Sequence, residues 1–85
     1  MNQNLYNEVI LLLEELSQDV SVPKNVRKVA LDSKAKLSVQ KESLDLRCAK
    51  VISTLDDLTN DPNVPPVGRT SLYTIISKLE ALAKS

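Results

Sequence analysis

Two pairs of adjacent carboxylates come closest to an acid–base couple in this sequence, Glu14 with Glu15 and Asp56 with Asp57. A catalytic acid and base need different pKa values, which burial and neighbouring charges create. Adjacent residues lie about 100° apart on a helix, so the two carboxylates of a pair point in different directions. We therefore expect both pairs to be solvated acids. The sequence has no His and a single Gly, which removes the commonest general base and metal ligand and any glycine-rich phosphate loop. We therefore predict no catalytic, metal or cofactor residues, no small-molecule substrate, and a protein that is not an enzyme.

An aspartate followed eight residues later by an arginine occurs twice, as Asp19 with Arg27 and as Asp61 with Arg69. Each aspartate precedes a proline-containing stretch, where Asp commonly accepts backbone N–H groups in turns and helix caps. Each arginine is then one turn inside the following helix, within reach of that carboxylate. We interpret these residues as structural turn pairs rather than as a catalytic or binding site.

Four cations form a basic ribbon on the second predicted helix, where they fall within about 120° of one another. They are Lys24, Arg27, Lys28 and Lys34. Such a ribbon can solvate a helix or bind an anionic partner such as nucleic acid. The ribbon has no interleaved aromatic residues and the sequence pI is about 6.2, so we favour the solvated face. A nucleic-acid- or ribosome-associated role remains the alternative.

These residues belong to a sequence that repeats itself at an offset of 42 positions, since LSQDVSVPKNVR returns as LTNDPNVPPVGR. Residues 9–37 and 51–79 share ten identities in 29 aligned positions, where chance would give roughly two or three. Repeats near this length pair two antiparallel helices. We therefore predict a single helical domain, residues 1–85, with an internal repeat at about 5–38 and about 43–84.

Hydrophobic periodicity predicts two helices in each half. The first runs from about Asn4 to Gln18 and the second from about Pro23 or Lys24 to Ser38. Since one hairpin cannot bury both its stripes, we predict an all-α four-helix bundle built from two duplicated antiparallel helical hairpins. The four stripes are Leu5, Val9, Leu12, Leu13 and Leu16; Val26, Ala30, Ser33 and Leu37; Leu44, Cys48, Val51, Ile52, Leu55 and Leu58; and Leu72, Ile75, Ile76, Leu79 and Leu82.

Prolines mark the breaks within each half, because proline is tolerated only in the first turn of a helix. The stretches DVSVP and DPNVPP therefore end the first and third helices. Between the halves, residues 38–43 contain neither Gly nor Pro. Ser43 could cap a third helix with its hydroxyl, while one continuous helix over residues 24–60 is the competing interpretation.

Two resemblances follow from these segments. The LxxD, VP and VR pattern resembles the hairpin of HEAT-type repeats, in which a turn Asp and a second-helix Arg recur, although two copies are fewer than such solenoids need. The chain as a whole, and VISTLDDLTNDPNVPPVGR in particular, resembles a family of short uncharacterised archaeal proteins. That resemblance implies an all-helical domain and brings no activity and no functional residues.

Apolar residues outside the four stripes predict an interaction surface. Leu11, Leu31 and Tyr73 are our candidate contact residues, because one small core cannot hold every apolar side chain of this sequence. Residues 1–20 carry a net charge of −4 and residues 21–50 carry +5, so two copies could pair acidic with basic faces. We predict a protein–protein interaction module, a homodimer or the partner of another protein.

The predicted compartment is the cytoplasm. The lone cysteine, Cys48, cannot form an internal disulfide, which is typical of a reducing environment. No apolar run approaches the roughly 18 residues of a membrane span, so we expect no membrane association.

Overall fold

The computed structural model describes residues 1–85, which form four α-helices and no strand. This confirms the predicted all-α class. The helices are α1 (Gln3–Ser17), α2 (Lys24–Ser38), α3 (Leu44–Thr59) and α4 (Pro66–Ala83).

The four helices pack as a ring in which each contacts its two neighbours. Contacts join α1 with α2, α2 with α3, α3 with α4 and α4 with α1. Sixteen buried apolar residues fill the ring, and they come from the four predicted stripes together with Val22 and Val64 of the two turns. The hairpins thus bury their stripes against each other.

Local sequence explains where most of the helices begin and end. Asn2 caps α1 by accepting the N–H of Leu5 at 3.0 Å, which satisfies one of the free donors of the first turn. Pro23 and Pro65 stand at the N-caps of α2 and α4 in extended backbone, and Pro66 is the first residue of α4. The proline breaks are therefore where the sequence predicts them.

The boundary between α2 and α3 is a turn, so the alternative of a continuous helix over residues 24–60 is wrong. Ser43 occupies the N-cap of α3, but its hydroxyl accepts no backbone N–H there. Side chains from other helices end α2 instead, because the carbonyl of Leu37 accepts the Tyr6 hydroxyl at 3.2 Å and Nη1 of Arg47. Nε of Arg47 also binds the carbonyl of Glu42 at 3.1 Å. These tertiary contacts replace the glycine or proline that the turn lacks.

The two proline turns lie at one end of the bundle and meet at the single glycine. A Cβ placed on Gly68 would stand 3.0 Å from Cγ1 of both Val22 and Val64. Val26, at the equivalent position of the first half, is fully buried. Val22 and Val64 therefore leave little room for a side chain at Gly68, so the two halves differ where the turns touch.

No helix of this protein is both long enough and apolar enough to cross a membrane.

Adding a β-branched side chain at the glycine should destabilise the fold. We expect Gly68→Val to lower the free energy of unfolding by about 1–3 kcal/mol, because overpacking forces both turn valines to move. Urea unfolding measures the change, with Thr70→Val on the exposed face of α4 as the control. Adding Val22→Ala to the Gly68→Val variant should recover part of the lost free energy of unfolding. If Gly68→Val were as stable as the unaltered protein, the close packing of Val22 and Val64 against Gly68 would be contradicted.

Candidate functional site

An open groove between α1 and α2 is the largest concave surface of the protein, with a volume of about 540 Å³. Leu11 and Leu31 line it with exposed fractions of 56% and 57%. Tyr6 and Ile10 are half-buried at its base and pack against the core. The remaining lining residues are Asn7, Glu14, Asp32, Lys34, Ala35 and Ser38. The groove therefore presents an apolar centre with a polar rim.

The walls of the groove are held by contacts between its two helices. The Tyr6 hydroxyl donates to the carbonyl of Leu37 at 3.2 Å, and Nζ of Lys34 lies 3.8 Å from Oε1 of Glu14. The ion pair is exposed and contributes little to stability. The first contact sets the register of α1 against α2, and the core beneath keeps the groove open.

The basic ribbon lies next to the groove, and Lys34 belongs to both. On α2, Leu31 lies within about 60° of each of the four ribbon cations by the helical period. Lys24 and Lys28 are exposed, whereas Lys34 pairs with Glu14. Arg27 is half-buried and its Nε has no hydrogen-bond partner. Only part of the predicted ribbon is thus free to meet a partner.

Tyr73 does not join the other two candidate contact residues. It lies on α4 with an exposed fraction of 56%, and it is not among the residues of the groove. The helical period places it about 100° from the buried Leu72 and away from α1. The candidate apolar contact therefore reduces to Leu11 and Leu31.

The adjacent carboxylates stay apart from one another in the fold. Glu14 lines the α1–α2 groove, whereas Glu15 lines a separate cleft between α1 and α4 together with Asp19. Asp56 and Asp57 are exposed on α3. No three Cys, Asp or Glu side chains cluster as a metal site.

The single thiol is a core side chain. Cys48 is fully buried, and this burial raises the pKa of its thiol above the ordinary 9.0. A thiol held in its neutral form is a weak nucleophile and a poor metal ligand. Its environment is that of a small hydrophobic residue in a helix bundle.

Both turn aspartates accept hydrogen bonds within their own turns. Oδ1 of Asp19 accepts the hydroxyl and the N–H of Ser21 at 2.6 and 2.9 Å, and Oδ1 of Asp61 accepts the N–H of Asn63 at 2.9 Å. The Ser21 bonds lower the pKa of Asp19 below its ordinary 3.8. The stabilising contribution of this carboxylate is therefore present above pH 3.8 and is lost as the pH falls through the lowered pKa.

The arginines of the two turn pairs make no ion pair with these aspartates. Arg69 donates through Nη2 to the main-chain carbonyl of Asp61 at 3.4 Å, and the ion pairs of the protein do not include one between Arg27 and Asp19. The expected contact to the carboxylate is absent because that group is already occupied by its own turn. Asn25 reaches across instead, 3.4 Å from Oδ2 of Asp61, and links the start of α2 to the second turn.

Comparison with known proteins gives consistent findings. The profile of the uncharacterised protein family UPF0147 matches residues 1–82. A UPF0147 protein of Thermoplasma acidophilum is 74% identical over 85 residues, covering 100% of this chain and 97% of the relative. One of Methanothermobacter thermautotrophicus is 38% identical over 82 residues, covering 96% and 80%.

Solved structures of similar proteins share the fold. A crystal structure of a UPF0147 protein from Thermoplasma acidophilum, 75% identical, superposes with a TM-score of 0.92 over 95% of each chain. A protein of unknown function, MMP1188, is 35% identical and gives a TM-score of 0.87 over 94% of this chain and 91% of its own. These findings confirm the predicted resemblance to uncharacterised archaeal proteins. The resemblance of the turns to HEAT-type hairpins rests on the sequence pattern alone.

Loss of a turn carboxylate should weaken the fold without changing its helices. We expect Asp61→Ala to lower the free energy of unfolding by about 0.5–2 kcal/mol, because the N–H of Asn63 loses its acceptor. Urea unfolding followed by circular dichroism measures this change. Asp57→Ala, at an exposed position on α3, is the matched control. Equal stability of the two variants would argue against a structural role for the turn aspartates.

Proposed function

The chain belongs to the uncharacterised protein family UPF0147, and we propose that it is a non-enzymatic protein-interaction module that associates with itself through the α1–α2 groove. The observation that carries this proposal is the pair of leucines, Leu11 and Leu31, that remain more than half exposed beside one another on a concave surface. Their positions are fixed by the helices on either side. A partner can therefore bind without the groove having to form first.

Burial of the two leucines supplies a driving force for association. Removing apolar surface from water is worth about 25 cal/mol per Å², and completely burying a leucine is worth about 1.5–3 kcal/mol. The half-buried Tyr6 and Ile10 would lose further exposed area under the same partner. Aromatic and aliphatic side chains at the centre of a polar rim are typical of protein interfaces.

The charge distribution supports a second copy of the chain as the partner. The two helices of the first hairpin lie side by side with opposite charge, since α1 contains three acids and no base and α2 contains five bases and one acid. A two-fold interface must be complementary to itself, and neighbouring acidic and basic surfaces meet that condition. The same surface could bind another protein with a similar charge pattern, which we rank below a second copy of the chain.

The chemistry of the groove also favours binding over catalysis. Its carboxylates, Glu14 and Asp32, lie in an open and solvated depression, and Glu14 is paired with Lys34. Catalytic carboxylates are commonly buried, whereas both of these are exposed. The free, buried thiol of Cys48 fits the reducing cytoplasm in which we propose that the protein acts.

A nucleic-acid-associated role is the alternative, with the basic ribbon as its contact surface. Lys24 and Lys28 are the two ribbon cations that remain exposed and outside any ion pair, whereas productive phosphate recognition commonly needs more. The apolar centre of the groove contains exposed leucines rather than the aromatic rings on which bases stack. We rank this role below self-association for that reason.

Self-association should be visible as a mass that grows with concentration. In sedimentation over micromolar to submillimolar concentrations, we expect a shift from 9.4 kDa toward twice that mass. Leu31→Asp should abolish the shift, because it places a charge at the apolar centre. Val67→Asp is the control, since Val67 is 70% exposed but lies outside the groove. A constant mass of the unaltered protein at every concentration would refute self-association.

The alternative role makes a separate prediction about salt. We expect no binding to RNA or DNA tighter than micromolar at low ionic strength. Micromolar or tighter binding in a gel-shift titration, weakened steeply by salt and lost in Lys24→Glu with Lys28→Glu, would overturn our ranking. Lys84→Glu, an exposed lysine at the opposite end of the bundle, controls for loss of net charge.

A further inference from the structure

The groove has a polarity along its length that constrains how a second copy can bind. The helices α1 and α2 are antiparallel and joined by a short turn, so the end of α1 and the start of α2 lie at the same level. Glu14 and Glu15 are in the last turn of α1, and Lys24 and Lys28 are in the first turns of α2. Leu11 and Leu31 lie halfway along the groove.

The other half of the groove carries fewer free charges. Its uncharged lining residues are Tyr6 and Asn7 on α1 and Ala35 and Ser38 on α2. Asp32 and Lys34 also line this half, and Lys34 pairs with Glu14. At the end next to the first proline turn, the exposed acids of α1 and the exposed Lys24 and Lys28 of α2 flank the groove.

Two symmetric arrangements can cover this face with a second copy. A two-fold axis parallel to the helices keeps every residue at its own level and lays α1 on the α2 of the partner. A two-fold axis perpendicular to the helices inverts the levels and lays α1 on the α1 of the partner. Both arrangements bury the same leucines, so apolar area does not choose between them.

Charge separates the two arrangements. With the parallel axis, the acidic end of α1, with Glu14 and Glu15, comes level with the basic start of the partner's α2, twice over by symmetry. With the perpendicular axis, the same acids face the uncharged Asn7 end of the partner's first helix, and the lysines face α2 of the partner. Since opposed charges steer and orient association, we infer that two copies of this chain associate about an axis parallel to the helices, with α1 of each on α2 of the other.

This arrangement also gives Asp32 and the two leucines of the groove suitable neighbours in the partner. Asp32 comes to lie over the partner's uncharged asparagines rather than over an acid. Leu11 of each copy meets the partner's Leu31, so the apolar centre closes on itself. The bundle extends 33 by 20 by 18 Å, so a long side is of the scale on which standard interfaces bury roughly 800 Å² per partner.

The inference rests on the proposed self-association, and disulfide trapping tests the two separately. Leu11→Cys in one full-length chain and Leu31→Cys in another should cross-link when mixed under mild oxidation, and neither variant should cross-link with itself. In this arrangement the two copies of Leu11 are about one interhelical distance of 8–10 Å apart, beyond the reach of a disulfide. The unaltered protein, with its buried Cys48, is the control.

The possible outcomes are distinct. Self-cross-linking of Leu11→Cys would establish the perpendicular axis and overturn the inference while leaving self-association intact. A dimer by sedimentation with no cross-link in any mixture would place the interface elsewhere and overturn the inference as well. A monomer at all concentrations would overturn both proposals.

Charge reversal gives a second and independent readout. Glu14→Lys with Glu15→Lys in one chain, and Lys24→Glu with Lys28→Glu in another, should each weaken self-association by about tenfold or more at low salt. Mixing the two variants should restore binding, because each acidic face again meets a basic one. Homodimers of unchanged affinity would overturn the parallel axis. Circular dichroism checks that the variants still fold. Because the Glu14–Lys34 ion pair is exposed and contributes little to stability, its loss should leave the fold intact.

Discussion

The fold depends on the burial of four aliphatic stripes in one shared core. With no Phe or Trp, the sequence must fill its interior with Leu, Ile and Val, whose burial drives folding roughly in proportion to the area removed from water. A single hairpin could not bury both of its stripes. The ring of contacts, in which α4 returns to α1, removes that exposure for both hairpins together. The turns, caps and surface features all follow from the positions that this core allows.

The contact at Gly68 shows how two halves of similar sequence pack differently. Both halves place a proline turn and a buried valine at the same end, and the two turns converge on the start of α4. Val26 of the first half fills its site, whereas Gly68 leaves space for Val22 and Val64. The repeated pattern therefore keeps its Asp, Val and Pro at both turns but has glycine in place of Val26 in the second half, where a Cβ would crowd Val22 and Val64.

The surface left over after the core is filled is where a function can lie. A bundle of 85 residues has a large surface for its volume, and its leucines are too numerous to be buried completely. Those that remain are not scattered evenly, since Leu11 and Leu31 meet in one groove beside segregated charges. The other large apolar side chains that are exposed, among them Leu46, Tyr73, Val20 and Val67, do not line this groove. It supports the proposal of a self-complementary interaction surface.

The sequence by itself determined the number of helices, their stripes and their proline breaks, because periodicity and the missing N–H of proline act over a few residues. It also determined which side chains could not all be buried. Only the tertiary structure decided that Leu11 and Leu31 share a groove and that Tyr73 lies apart, since helical phase does not say which neighbours flank each helix. The end of α2 was likewise decided by Tyr6 and Arg47, which lie on other helices and cap the carbonyl of Leu37 across the fold. The turn aspartates bind their own backbone rather than the arginines eight residues on, because a local N–H is held in place by the turn while a long side chain must be ordered to reach the same oxygen.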